Sequence, residues 1–296
     1  MELGQLRTFV MVAACGSFTQ VARELNISQP AVTAQIQALE RELEVRLLDR
    51  LPRRVLLTPA GEVLLDYARR LLNLEAEAQR ALAEVCGRQE SYLHIGASPT
   101  IGEYILPHIL DEFRQIYPSV HVIAEIKPTY EVVQAIQDHV YNLGLIEAAA
   151  DTDGLEMEPF LQDELVLVVP GHHPWAAQSM VEPAELVNEP WITREPGSGT
   201  RAWIEESLHS LGVVITPVME LGGIEAIKNT VAAGMGISIL SRSAVQLEVN
   251  SGILVVVKVR GVSLIRSFYC IYPRQRYLSP IIKSFLALVK NTHSVT

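Results

Sequence analysis

At 296 residues, with 49% hydrophobic and 20% charged side chains, the chain can fill two or three compact cores and is too apolar for a disordered polymer. No apolar run nears the roughly 20 residues of a membrane span, and no export signal opens the chain, so a cytoplasmic location without membrane contact is expected. The formal charge of −10 would disfavour nucleic acid if it were evenly spread, but residues 1–58 hold seven arginines against six acids and the excess of acid lies beyond them.

In chain order, Leu6, Phe9, Val10 and Ala13 recur at helical spacing, which predicts an amphipathic helix over 3–15 ended by Gly16. Ser17 with Gln20 forms a capping-box pattern for a second helix that buries Val21, Ala22 and Leu25. After the short turn at Asn26-Ile27, Ser28 caps a third helix, with Pro30 tolerated in its first turn. Val32, Ile36, Leu39 and Leu43 form its apolar stripe, which leaves Gln29, Thr33, Gln35 and Gln37 off it. Two short helices at a tight turn, the second amide-rich on its free face, fit a helix-turn-helix. Gln can bond adenine in both directions, and a Thr methyl can meet thymine. A plain helical hairpin with a solvated polar face is the bland alternative.

Residues 47–50 and 55–58 then read as two short strands, with Pro52-Arg53-Arg54 at the bend. Such a hairpin is a wing, whose Arg53 and Arg54 can reach phosphates or the minor groove. From Thr58-Pro59 the chain runs to Gly87 without a breaker. Leu64, Tyr67, Leu71, Leu74, Ala78, Ala81 and Val85 alternate steps of three and four, the seam of a coiled coil. That seam predicts a dimer, and two reading helices would match a palindromic site.

The run Phe9, Ala13, Gly16-Ser17-Phe18-Thr19, Ala22, Leu25, Ser28-Gln29-Pro30-Ala31-Val32-Thr33, Ile36, Leu39-Glu40, Leu43, Leu47, Arg50 and Leu57-Thr58-Pro59-Ala60-Gly61 resembles the signature of LysR-type transcriptional regulators. It departs at Glu44, where Gly is commoner, and at Leu48, where Phe is commoner. Both read as packing changes at the wing root. The resemblance implies that 18–37 is the helix-turn-helix, with DNA contacts from Phe18, Ser28, Gln29, Pro30 and Thr33, alongside Gln35, Gln37 and the wing arginines. It also implies a linker-helix dimer paired again into a tetramer, an inverted-repeat promoter site on double-stranded DNA, and RNA polymerase as a further candidate partner.

From Ser91 onward strands alternate with helices. Strands are expected at 92–97, 120–126 and 143–146, with helices at 104–117 and 130–139. A second set has strands near 165–169, 191–193, 218–221 and 237–240 and helices near 202–211 and 224–233, followed by a strand at 267–272 and a helix at 280–290. The fold class is therefore α/β: a winged helix-turn-helix (1–58), a linker helix (59–90) and a two-lobed sensor (91–296). Lobe I would span 91–161 and 267–296, and lobe II 162–266. The sensor resembles the periplasmic-binding-protein-like domain of the same family.

Ligands of such sheets bind where strands end and helices begin. Ser98, Pro99 and Thr100 lie at one such junction, Gly197, Ser198, Gly199 and Thr200 at a second, and Gly223 precedes a third helix. Free N–H groups, hydroxyls and helix N-termini suit a small anion. These loops, with Glu147 and Glu195, are similar to those of the branch regulating sulfur assimilation and Calvin-cycle genes. That likeness implies a sulfite-like oxyanion or a phosphorylated metabolite as effector. Glu147 and Glu195 would oppose an anion unless they accept from a protonated ligand or orient donors.

The rival readings are an enzyme and a transport-type solute-binding protein on the same two-lobed fold. Pro196 two residues before Ser198 does not suit a nucleophile elbow, and His172-His173 has no second cluster at metal spacing. Cys15, Cys86 and Cys270 suit neither a disulfide framework nor zinc. No catalysis, cofactor or metal is expected, and a solute-binding protein would have no use for residues 1–90.

Overall fold

The computed structural model describes residues 1–51, 54–86, 92–147, 152, 154–274 and 277–292. It divides into two compact units, Met1–Gln89 and Glu90–Thr296.

In the first unit α1 (Leu3–Cys15), α2 (Phe18–Glu24) and α3 (Gln29–Glu42) are followed by the hairpin β1 (Leu48–Leu51) and β2 (Arg54–Leu57), then by α4 (Pro59–Val85). Gly16 closes α1 at φ +64, in the left-handed region where a Cβ is costly. The Ser17 hydroxyl accepts from the Gln20 N–H at 3.3 Å, but the Gln20 amide turns to Glu24 (3.0 Å), so only half of the expected capping box forms. Ser28 caps α3 by accepting from the Ala31 N–H at 3.3 Å. Leu6, Phe9, Val12, Val21, Val32, Ile36, Leu39, Leu47 and Ala68 close one core. Gly61 is required there, because a Cβ would lie 2.1 Å from the Leu47 carbonyl oxygen.

The two departures from the family signature differ in kind. Leu48 is buried in this core, a packing change as expected. Glu44 is exposed and stands at φ +54, so the departure there concerns backbone conformation and not packing.

The second unit runs β3 (Tyr92–Ala97), a π turn at Ile101–Ile105, α5 (Leu106–Ile116), β4 (His121–Ile126), α6 (Thr129–Gln137), β5 (Leu143–Ile146), β6 (Leu155–Pro170), β7 (Met180–Val181), β8 (Trp191–Arg194), α7 (Gly199–His209), β9 (Pro217–Leu221), α8 (Ile224–Ala232), β10 (Ser238–Ser241), α9 (Arg242–Asn250), β11 (Leu254–Val259), β12 (Ile265–Pro273) and α10 (Pro280–Asn291). β3, β4 and β5 are parallel. β12 runs antiparallel to β5 and to the first half of β6, from Ile265 opposite Glu164 to Pro273 opposite Leu155. The second half of β6 lies between β10 and β11. β6 and β12 thus carry the chain across between two half-domains, which we call the first half (β3 to β5, α5, α6, α10) and the second half (β7 to β11, α7 to α9). Each half has a core on both faces of its sheet.

The helix expected at 104–117 instead begins at Ile101 with a π turn. Pro107 has no N–H for the Glu103 carbonyl and its ring crowds that oxygen, so a wider turn precedes it. The first half of β6, α9 and β11 were not expected from the sequence.

Candidate effector site and DNA-reading face

α3 presents a polar face. Gln29, Pro30 and Gln37 are exposed and Thr33 is half-buried, and the Gln29 amide reaches the Thr33 hydroxyl at 3.4 Å. Ser28 is exposed at the helix start. Gln35 is drawn elsewhere: its side-chain oxygen accepts from the hydroxyl of Thr8, a buried residue of α1. Phe18 is buried in the core, so its ring packs inside the domain and does not face outward. Arg54 is exposed at the start of β2, and Arg53 lies outside the described residues.

On α4 the apolar residues divide. Leu64, Leu65, Ala68 and Leu72 pack into the core of their own unit. Val63, Tyr67, Leu71, Leu74 and Leu82 are exposed. Leu64, counted in the seam from spacing alone, is thus shared with the intramolecular core, and Tyr67, Leu71 and Leu74 remain exposed.

In the second unit the sequence-predicted residues Thr100, Glu147 and Thr200 meet in a buried cluster. The Glu147 carboxylate lies just past β5 and accepts from the Thr100 N–H (2.9 Å) and the Thr200 hydroxyl (2.5 Å). Arg266 on β12 donates from Nη1 to Glu147 (3.0 Å) and to the Thr200 oxygen (2.9 Å), and from Nε to Asp163 on β6 (2.9 Å). Asp163 also accepts from the Ser241 hydroxyl at 2.6 Å. The cluster therefore joins the first half (Thr100, Glu147), the second half (Thr200, Ser241) and both crossing strands. Ser98 is fully buried, and its hydroxyl has no hydrogen-bond partner among the described residues.

Burial alone would raise the Glu147 carboxyl, but Arg266 and the Thr100 and Thr200 donors outweigh it and hold the group below the usual carboxylate range. At Asp163 burial prevails, and Arg266 and Ser241 offset it only in part, so its pKa is raised. The N-terminal ends of the π turn and of α7 thus point donors at a carboxylate. That is the arrangement that receives an anion.

The other predicted residues stand around this cluster. Ser198 caps α7, its hydroxyl accepting from the Arg201 N–H at 3.4 Å. Gly197 adopts φ +89 and Gly223 φ +130, Gly199 opens α7, and Pro99 is half-buried. Glu195 takes no part in the cluster and binds its neighbour Arg194 through both oxygens at 2.7 Å. Sequence reasoning missed Arg266, Asp163, Ser241 and Arg194. Arg266 and Asp163 lie on strands that cross between the halves, where no loop motif marks them, and only their facing register makes them a pair.

Residues 87–294 match the family described as LysR substrate binding domain, and residues 3–62 match the bacterial regulatory helix-turn-helix protein, lysR family. The chain belongs to the LysR family of transcriptional regulators. It is 32% identical to the HTH-type transcriptional regulator CysL of Bacillus subtilis over 97% of this chain and 96% of that protein. It is 36% identical to a probable RuBisCO transcriptional regulator of Trichormus variabilis over 96% of this chain and 86% of that one. Both relatives fall in the branch that the sensor loops resemble. The Synechocystis CcmR regulatory domain in complex with 2-PG is 29% identical, with a TM-score of 0.64 over 68% of this chain and 96% of that chain. The chain is thus a DNA-binding regulator with a small-molecule sensor, and its domains are those of regulators and not of enzymes. No helix among the described residues is long and apolar enough to cross a membrane.

Proposed function

We propose that this LysR-type regulator senses a small anion held between the halves of its second unit and reads an inverted-repeat promoter as a dimer. The observation that carries the sensor reading is the convergence of the Thr100 N–H, the Thr200 hydroxyl and the Arg266 guanidinium on one buried carboxylate. The site already holds an anion of its own, so a sulfite-like or phosphorylated effector exchanges for Glu147 or donates a proton to it. The 2-PG bound by the CcmR regulatory domain supports the phosphorylated class. Arg194, paired with the partly exposed Glu195, offers a second cation to such a ligand.

DNA specificity is assigned to Gln29 and Thr33, with Ser28, Pro30, Gln37 and Arg54 supporting the backbone, and the dimer to Tyr67, Leu71 and Leu74 of α4. Contact with RNA polymerase would follow from the bound promoter, in the cytoplasm. Calorimetry of the full chain with sulfite, sulfate, phosphate and 2-PG tests the sensor. One of these should bind the wild type, and Thr200→Val should weaken it about five- to tenfold, the loss of one or two hydrogen bonds. No binding by any of the four overturns the anion reading.

A further inference from the structure

The two halves of the second unit also touch away from the Glu147 cluster, at Tyr104. This residue lies in the π turn of the first half, yet its ring packs against the core of Ile192, Ile224, Ile227, Val231 and Ala244 in the second half. Its hydroxyl donates to Glu225 of α8 at 2.6 Å. The Lys228 ammonium stands 5.3 Å from the ring centroid, within cation–π range.

Lys228 is nearly fully buried and is held on three sides: by Glu225 at 2.7 Å, by Glu248 at 2.9 Å and by the Ala244 carbonyl at 2.9 Å. The second half therefore builds a rigid charged socket within itself, and Tyr104 closes it from the other side. Burial and Glu225 keep the phenol protonated and able to donate. Beside it, burial and then the like charge of Glu225 raise the Glu103 pKa, while Arg194 and Lys228 of the second half attract it, so the hydroxyl of Tyr104 is the group a variant can remove without touching these charges.

We propose that Tyr104 in the Glu225–Lys228–Glu248 socket is a latch that holds the two halves closed when no ligand is bound. It makes a second closing point besides Glu147 and Thr200. Its role does not depend on which effector the cleft takes. The hydrogen bond at stake runs to an ionised but solvent-exposed carboxylate, and its loss shifts the open-to-closed ratio by up to about tenfold.

The test is residue footprinting of the full chain with no ligand added. An amine-acetylating ester reports Lys228, and carbodiimide coupling to an amine reports Glu147, both read by mass spectrometry against the exposed Lys258. Tyr104→Phe removes only the hydroxyl and leaves the ring covering Lys228 while the halves stay closed. Modification rates of a buried group follow the open fraction, so Lys228 and Glu147 should both label faster in the variant, by up to about tenfold. Among the described residues Glu147 has no hydrogen bond to Tyr104, and Thr200 and Arg266 hold it even if the π turn frays and frees the Thr100 N–H, so its response separates opening of the halves from local fraying. Faster labelling of Lys228 alone would show fraying of the π turn and overturn the latch. Unchanged labelling of both would overturn it as well.

Discussion

At the scale of single residues the charges in the sensor unit set the sharpest expectations. Arg266 pairs with both Glu147 and Asp163, and all three are buried. Arg266→Met would leave two buried carboxylates without a counter-ion, which costs about 3–5 kcal/mol at pH 7. In the wild type Glu147, held below its ordinary 4.5, stabilises the fold above that pH and loses this contribution as pH falls through its lowered pKa. Without the arginine, burial outweighs the neutral donors that remain, those of Thr100, Thr200 and Ser241, and both carboxyl pKa values rise above their unfolded values. The contribution of each is then lost as pH rises through the raised pKa, so the variant should regain stability at pH 5 relative to pH 7. Urea unfolding at the two pH values checks this, and parallel shifts in wild type and variant would refute it.

On the DNA side, Gln29→Ala and Thr33→Ala should each lose about 1–3 kcal/mol of specific binding and relax sequence preference. Arg54→Ala should instead weaken binding to every sequence and flatten its salt dependence. Gln35→Ala should behave differently from both. It leaves the buried Thr8 hydroxyl without its acceptor, so stability falls by about 1–3 kcal/mol while sequence preference holds. Gel shifts over a salt series, beside thermal melts, separate the three outcomes.

At the scale of elements, the helices and the hairpin of the first unit were legible because each carries its own stop and start: Gly16, Ser17, Ser28 and Pro59. The strands β3, β5 and β10 were legible as short apolar runs. β6 was visible only from Leu165, because Glu156, Glu158, Asp163 and Glu164 break the apolar pattern in its first half. Those side chains bind polar partners instead of packing into a core: Glu158 meets Tyr272 and Asp163 meets Arg266 of β12, Glu164 meets Arg242 of α9, and Glu156 meets Arg274. The same break hid the centre of the candidate site. Thr100 and Thr200 stand at helix starts and could be found, whereas Arg266 is defined only by strand register. The π turn escaped because a proline in the first turn of a helix normally marks a plain start. For α4, spacing alone made Leu64 part of the seam, and packing then assigned it inward. Leu71 stays exposed in a row with Tyr67 and Leu74. Leu71→Asp should therefore abolish the dimer while the monomer keeps its core, as read by sedimentation at micromolar concentration. An unchanged assembly would remove α4 as the pairing helix.

At the scale of the whole molecule, a regulator works only if ligand and DNA each shift the other's affinity, and the two shifts must be equal. A ligand that multiplies DNA affinity by some factor must itself bind more tightly, by that factor, once operator DNA is present. The structure supplies two contacts that such a coupling can act on, the Glu147–Thr200 hydrogen bond and the Tyr104 latch, and both join the halves of the sensor unit. An anion that takes over the donors of Glu147 changes the first contact directly. Typical couplings of 1–3 kcal/mol correspond to roughly 5- to 150-fold. Thr200→Val keeps the side-chain volume and removes one of the donors that meet Glu147. Ligand affinity should fall, and DNA affinity measured without ligand should shift by no more than saturating ligand shifts it in the wild type, because the first unit is unaltered and only the balance of the halves changes. The ligand-dependent change in DNA affinity should persist once the ligand is raised to saturate the variant. Titrating the responsive anion with and without operator DNA, and the DNA with and without the anion, measures all four constants of the cycle in each protein. If the variant loses DNA binding in the absence of ligand, Thr200 supports the unliganded regulator and not its sensing.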